Sequence, residues 1–171
     1  MNNIGKQIKE IREIKGMSRA ELGEIVGLSP DKVQDYENGA KEIREETAFS
    51  FADALDVSTY ALSRPDLLTP MGVMYALFEI EDNYGISPDN FRILGAGEVG
   101  SIADMFSCYV SKYHEVEKKL LNECKKEKGQ EENIRKIQEE YKMWKWNFAK
   151  FWPIEAARIK AEKIAEGKNN G

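Results

Sequence analysis

The stretch SRAELGEIVGLSPDKVQDYENG, residues 18–39, constrains the fold of this chain more than any other. It sets two helix starts and two helix stops within a few turns of each other. Ser18 is a good N-cap, and Glu21 three residues later completes a capping box. The helix that follows carries Leu22, Ile25 and Val26 and stops at Gly27, a residue suited to a left-handed C-cap. Ser29 caps again, and Pro30 fits the first helical turn, where a missing N–H costs nothing. Val33 and Tyr36 are expected to point inward, and Asn38-Gly39 ends the segment. Two short helices joined by a glycine turn cannot both be buried alone, so neighbours must cover them. Upstream, Ile4, Ile8, Ile11 and Ile14 form one apolar helical stripe that Gly16 ends. Downstream, further helices are predicted over 45–55 and 59–62.

The punctuation then changes. RPDLLTP, residues 64–70, holds two prolines that disfavour helix at the residues before them, which predicts a hinge. Domains are therefore expected at 1–66 and 67–171, with an all-α fold overall. In the second domain Met71–Tyr84 reads as a buried helix, and Phe91–Leu94 as one short strand. From Ser101 a long apolar stripe runs through Met105, Tyr109, Val116 and Leu120 to Cys124, and KEKGQ breaks it. A second stripe, Ile134, Ile137, Tyr141, Trp144 and Phe148, runs to Pro153, and a last helix is expected over 154–166. Two long amphipathic helices with a short break predict an antiparallel hairpin.

Residues 17–39 resemble the DNA-binding domain of the phage-repressor and Cro helix-turn-helix (XRE) family. Ala20, Glu21-Leu22, Gly27, Leu28-Ser29, Val33 and Glu37-Asn38-Gly39 carry the resemblance, which covers roughly residues 4–63. It implies a five-helix, lambda-repressor-like domain. Two positions depart from the family pattern: Arg19 stands where Gln is usual, and Gly23 where Ala is usual. Part of the second domain weakly resembles C-terminal regions of similar regulators from low-GC Gram-positive bacteria.

The resemblance implies that the helix beginning near Ser29 enters the major groove of double-stranded DNA. Pro30, Asp31, Lys32 and Asp35 would then face base edges, while Arg19, Asn38, Lys41 and Arg44 would lie along phosphates. Charge argues against easy binding, because the whole chain carries −5, and residues 1–66 hold nine Lys/Arg against thirteen Asp/Glu, a net −4. Carboxylates can nevertheless read DNA, since Asp accepts from the cytosine amino group and repels sequences lacking a donor there. Screening over about 8 Å at physiological salt makes the local patch decisive rather than the total. The plainer readings are that Asp31 answers the helix dipole and that Asn38 is a C-cap.

Elsewhere the residues favour packing over chemistry. Tyr141, Trp144, Phe148, Phe151 and Trp152 read as core or dimer interface, with Trp146, off that stripe, as an exposed interface anchor. His114 has no partner at ligand or triad spacing, and Glu79, Glu81 and Asp82 read as a solvated acidic face. GAGEVG, residues 95–100, fits a dinucleotide-loop pattern in letters only. Ser107, Ser111 and Lys112 lie on a periodic helix, which excludes a self-cleaving β-rich domain. Two cysteines and one histidine fall short of a four-ligand zinc site, so no metal or cofactor is expected. No apolar run approaches the roughly 20 residues of a membrane span, and the start lacks a secretory pattern. The expected function is a cytoplasmic, non-enzymatic transcriptional regulator, a repressor, homodimeric through its C-terminal helices. The alternative is a protein-interaction module, antitoxin-like or a phage-encoded inhibitor, that keeps the helix-turn-helix as scaffold and binds a protein partner.

Overall fold

The structure, a computed structural model, describes residues 4–90, 102–126 and 130–169. Among these it is all-α, with eight α-helices, two short 3-10 turns and no strand. The strand expected at Phe91–Leu94 and the GAGEVG loop lie outside the described residues. The chain divides into two compact units, Met1–Pro65 and Asp66–Gly171.

The first unit holds α1 (Ile4–Ile14), α2 (Arg19–Val26), α3 (Pro30–Glu37), α4 (Glu45–Ala54) and a 3-10 turn at Thr59–Leu62. Local chemistry sets the boundaries. The Ser18 hydroxyl accepts from the Glu21 N–H at 3.1 Å, and the Glu21 carboxylate accepts from the Ser18 N–H at 2.7 Å, so the capping box is closed from both sides. Gly27 ends α2 at φ 69° and ψ 32°, the left-handed region that a side chain would strain. Gly23 is required for a different reason: a Cβ there would lie 2.4 Å from the Leu28 carbonyl oxygen. The departure from Ala at this position thus lets the α2–α3 turn fold back directly onto α2. Ile8, Ile11, Leu22, Val33, Phe51, Leu55 and Leu62 form the core, and Tyr36 meets Phe51 edge-on at 5.7 Å.

The second unit contains α5 (Pro70–Tyr84), a 3-10 turn at Pro88–Asn90, α6 (Ile102–Cys124), α7 (Gln130–Trp146) and α8 (Phe148–Asn169). α6 and α7 pack as the expected antiparallel hairpin, with Asn133 near the start of α7 donating to Glu123 near the end of α6. Phe78 of α5 is the hub of the core, edge-on to Tyr75, Tyr109, Trp144 and Phe148 at 5.0–6.0 Å. Such pairs add about 0.5–1.5 kcal/mol each beyond area burial.

Three expectations for this unit need correction. Trp146 is no exposed anchor but 4% exposed, and its carbonyl accepts from the Tyr75 hydroxyl at 3.1 Å. The end of α7 is enclosed on several sides, so a single apolar stripe does not describe it. Pro153 does not end a helix either. The break falls at Asn147, and α8 runs through Pro153, which is solvent-exposed. Losing one ladder hydrogen bond there is offset by Phe148 and Trp152, both buried on the opposite side. Finally, Glu81 is no solvated acid, since its side chain is 13% exposed. It accepts from the hydroxyls of Tyr109 at 2.8 Å and Tyr141 at 3.1 Å, and from the Lys145 ammonium at 3.3 Å.

Candidate nucleic-acid interface

α3 presents two faces. Val33, Tyr36 and Glu37 are buried, while Pro30, Asp31, Lys32, Gln34 and Asp35 are exposed. At 100° per residue, Pro30, Gln34, Asp31 and Asp35 follow one another across the exposed arc, and Lys32 lies at its edge. The arc therefore contains every residue expected at base edges. It also contains Gln34, which sequence reasoning passed over although its i+4 spacing from Pro30 placed it there. The Ser29 hydroxyl accepts from the Lys32 N–H at 3.4 Å, fixing the start of the helix.

The third carboxylate of the segment behaves differently. The Glu37 side chain is 0% exposed and sits under the helix, where Arg12 Nε donates to it at 2.6 Å and Arg19 Nε at 2.8 Å. Arg12, itself 8% exposed at the side chain, also donates to the Met17 carbonyl at 2.7 Å. Burial pushes the Glu37 carboxyl up, but hydrogen bonds from Arg12 and then Arg19 outweigh this and hold it below the usual carboxylate range. The hydrogen bond to Glu37 likewise raises Arg12. Glu13 also reaches Arg12, at 3.4 Å, so the two guanidiniums are balanced by one buried carboxylate and one exposed one. The buried Glu37 also ties the end of α1 and the start of α2 to the last turn of α3.

The expected phosphate contacts divide accordingly. Arg19 stands beside the end of α3, half-buried, with its Nε committed to Glu37. Asn38 is the C-cap: its N–H donates to Gln34 O at 2.9 Å, and Gly39 and Ala40 close a Schellman turn onto Tyr36 O and Asp35 O. Lys41 reaches back over the Tyr36 ring with its ammonium 5.1 Å from the centroid. Arg44 is the N-terminal residue of α4 in extended conformation and makes no side-chain cap. All but Arg19 are exposed. With Glu37 withdrawn inside and paired with Arg19, the exposed charges of this segment are Lys32, Lys41 and Arg44 beside Asp31 and Asp35, with Glu42, Glu45 and Glu46 flanking Arg44.

Among the described residues, no group of three His, Cys, Asp or Glu could hold a metal ion. No helix among them is long and apolar enough to cross a membrane. Both cysteines are free thiols. His114 does have a partner, Asp89, at 3.0 Å across to the Pro88–Asn90 turn.

Residues 8–62 match the family model described as helix-turn-helix. Over 54 residues the chain is 35% identical to an uncharacterized HTH-type transcriptional regulator of Sinorhizobium fredii, covering 32% of this chain and 38% of that protein. It is also 32% identical over 75 residues to a putative HTH-type transcriptional regulatory protein of Pyrococcus abyssi, covering 44% of this chain and 21% of that one. The chain thus spans well under half the length of either relative. No solved structure matches it at comparable significance. Residues 8–62 thus match a helix-turn-helix domain, and the matched relatives are named as transcriptional regulators.

Proposed function

We propose that this protein is a sequence-specific DNA-binding transcriptional regulator, acting as a repressor in the cytoplasm, that reads the major groove with the exposed arc of α3. In this reading Pro30, Asp31, Lys32, Gln34 and Asp35 face base edges. Lys32 suits guanine O6/N7, Gln34 suits adenine, and either aspartate suits the cytosine amino group. Arg19, Asn38, Lys41 and Arg44 follow the phosphates. The observation that supports the reading is the inward clamp on Glu37: it withdraws one carboxylate from the outer face of α3 and leaves Lys32, Lys41 and Arg44 exposed there beside Asp31 and Asp35, in a domain that is net acidic.

Few cations mean weak non-specific binding. One domain should show a salt slope of about −3, and a dimer on two half-sites about twice that. α8 supports dimerisation: Ile154, Ala157, Ala161 and Ile164 recur at spacings of three, four and three, all exposed, with Ile154 at 75% and Ile164 at 51%. This stripe lies on the side away from the packed Phe148 and Trp152, on a helix about 33 Å long. A second copy of α8 would cover it, and half-sites would lie about 34 Å apart or a multiple of that.

The test is a salt titration of the full-length protein on a duplex selected from random sequence. Arg44→Ala should flatten the slope by about one, whereas Lys32→Ala should relax base preference with little change in slope. The acidic domain charge keeps one competing reading in view, a protein-interaction module on the same scaffold. That reading wins if no duplex is retained in dilute buffer.

A further inference from the structure

The second unit contains a half-open cleft of about 360 Å³, within the usual range for small-molecule sites, lined by the last turns of α5 and by facing stretches of α6 and α7. Its walls have a definite chemistry. Tyr113, Val116 and Leu120 of α6 and the Tyr141 ring of α7 give it an apolar floor. Asp82 of α5 and Glu117 of α6 bring carboxylates to it, as does the inner Glu81.

Two observations show which ligand charge these walls favour. First, the inner end already stabilises a cation. The Lys145 ammonium, on a residue only 2% exposed, is held by Glu81 and Asp82 and lies 4.8 Å from the Tyr141 ring centroid. Second, a carboxylate is left over. Glu117 is exposed and takes no hydrogen bond or ion pair among the described residues. Three carboxylates against Lys142 and Lys145 leave the lining one negative charge in excess. The carbonyl end of α5, which closes at Gly85, adds partial negative charge on the same side.

We propose that this cleft binds a small organic cation: an ammonium group seated between Glu117 and Asp82, carried on a flat apolar body that lies against Tyr113, Val116 and Leu120. Tyr141 then faces the bound body while its hydroxyl stays on Glu81. The site lies wholly within α5, α6 and α7 and stands whether or not α3 reads DNA.

The probe is phenethylammonium, titrated into full-length protein with labelled Val and Leu methyl groups. The controls are 2-phenylethanol, which lacks the charge, and 3-phenylpropanoate, which reverses it. Val116 and Leu120 methyl resonances should shift saturably with the ammonium, with half-saturation on the order of 1 mM for so few atoms. The alcohol should bind about tenfold more weakly and the carboxylate not measurably, since charge-assisted contacts are about twice as strong as neutral ones. Glu117→Gln, at an exposed site that no fold contact uses, should weaken the ammonium about fivefold or more. Leu120→Trp should fill the cleft and abolish binding while leaving its charges unchanged. Equal affinity for ammonium and alcohol, no effect of Glu117→Gln, or no saturable shift by tens of millimolar would each overturn the proposal.

Discussion

Replacing Glu37 by Gln should damage this protein more than any surface change of similar size. The carboxylate is fully shielded from solvent, and it answers two guanidiniums, one of them nearly as deeply buried. Gln at this position can still accept one hydrogen bond from Arg12, but its amide N–H groups face further donors and Arg12 is left with only the more distant, exposed Glu13 as counter-charge. Breaking a buried pair in this way costs about 3–5 kcal/mol. Arg12 keeps its bond to the Met17 carbonyl, so the lower end, about 3 kcal/mol, is the expected loss. For a domain of this size that corresponds to a fall in melting temperature of about 12–24 °C.

The two units can be watched separately, because all three tryptophans, Trp144, Trp146 and Trp152, lie in the second. Amide hydrogen exchange at Val33 and Tyr36 should therefore accelerate by about a hundredfold in Glu37→Gln, while the tryptophan unfolding curve stays where it was. An Arg12→Leu/Glu37→Leu double variant should recover much of the loss, since apolar pairs often replace buried ion pairs without penalty. If Glu37→Gln costs less than about 1 kcal/mol, or the double variant is no better than the single, the clamp does not hold α3 in place.

Other outcomes follow from the same geometry. Glu37 has a depressed carboxyl in the folded state, so its contribution is fully present at neutral pH. It should drain away as pH falls below the ordinary carboxylate value of about 4.3, seen as accelerating exchange at the α3 amides, and Glu37→Gln should lack that acid limb. Gly23→Ala should destabilise the first unit by about 1–3 kcal/mol in urea, because its Cβ meets the Leu28 carbonyl rather than a flexible side chain. In an alkaline ultraviolet titration, Tyr109 and Tyr141 should resist ionisation well above the ordinary phenol range. Burial first and the Glu81 charge second push both phenols far up, so they should ionise only as the second unit unfolds.

What the sequence disclosed was local. Ser18, Glu21, Gly27, Ser29 and Pro30 act within a turn of themselves, and their roles can be read without knowing what lies across the core. The hairpin was legible for a similar reason, as long periodic stripes survive small errors. The Arg12–Glu37 pair was not, because its partners are 25 residues apart and each looks like an ordinary polar residue on an amphipathic helix. A signal did exist: Arg12 lies one turn from Ile8 and Glu37 one turn from Val33, which puts both on buried faces. Lys145 and Glu81 were hidden likewise, 64 residues apart, and only the spacing from Tyr141 hinted that Lys145 turns inward. Pro153 misled because its helix-breaking tendency competes with the packing of Phe148 and Trp152, which sequence spacing alone does not weigh.

The central claim is that α3 meets DNA with its exposed arc despite an acidic domain. Amide chemical-shift mapping of the full-length protein against a selected duplex tests it most directly. The account predicts that the largest changes fall on Asp31–Asp35 and near Arg19 and Lys41, with Val33 moving less than Gln34. Changes confined to the second unit, or none at low salt with any selected duplex, would contradict it.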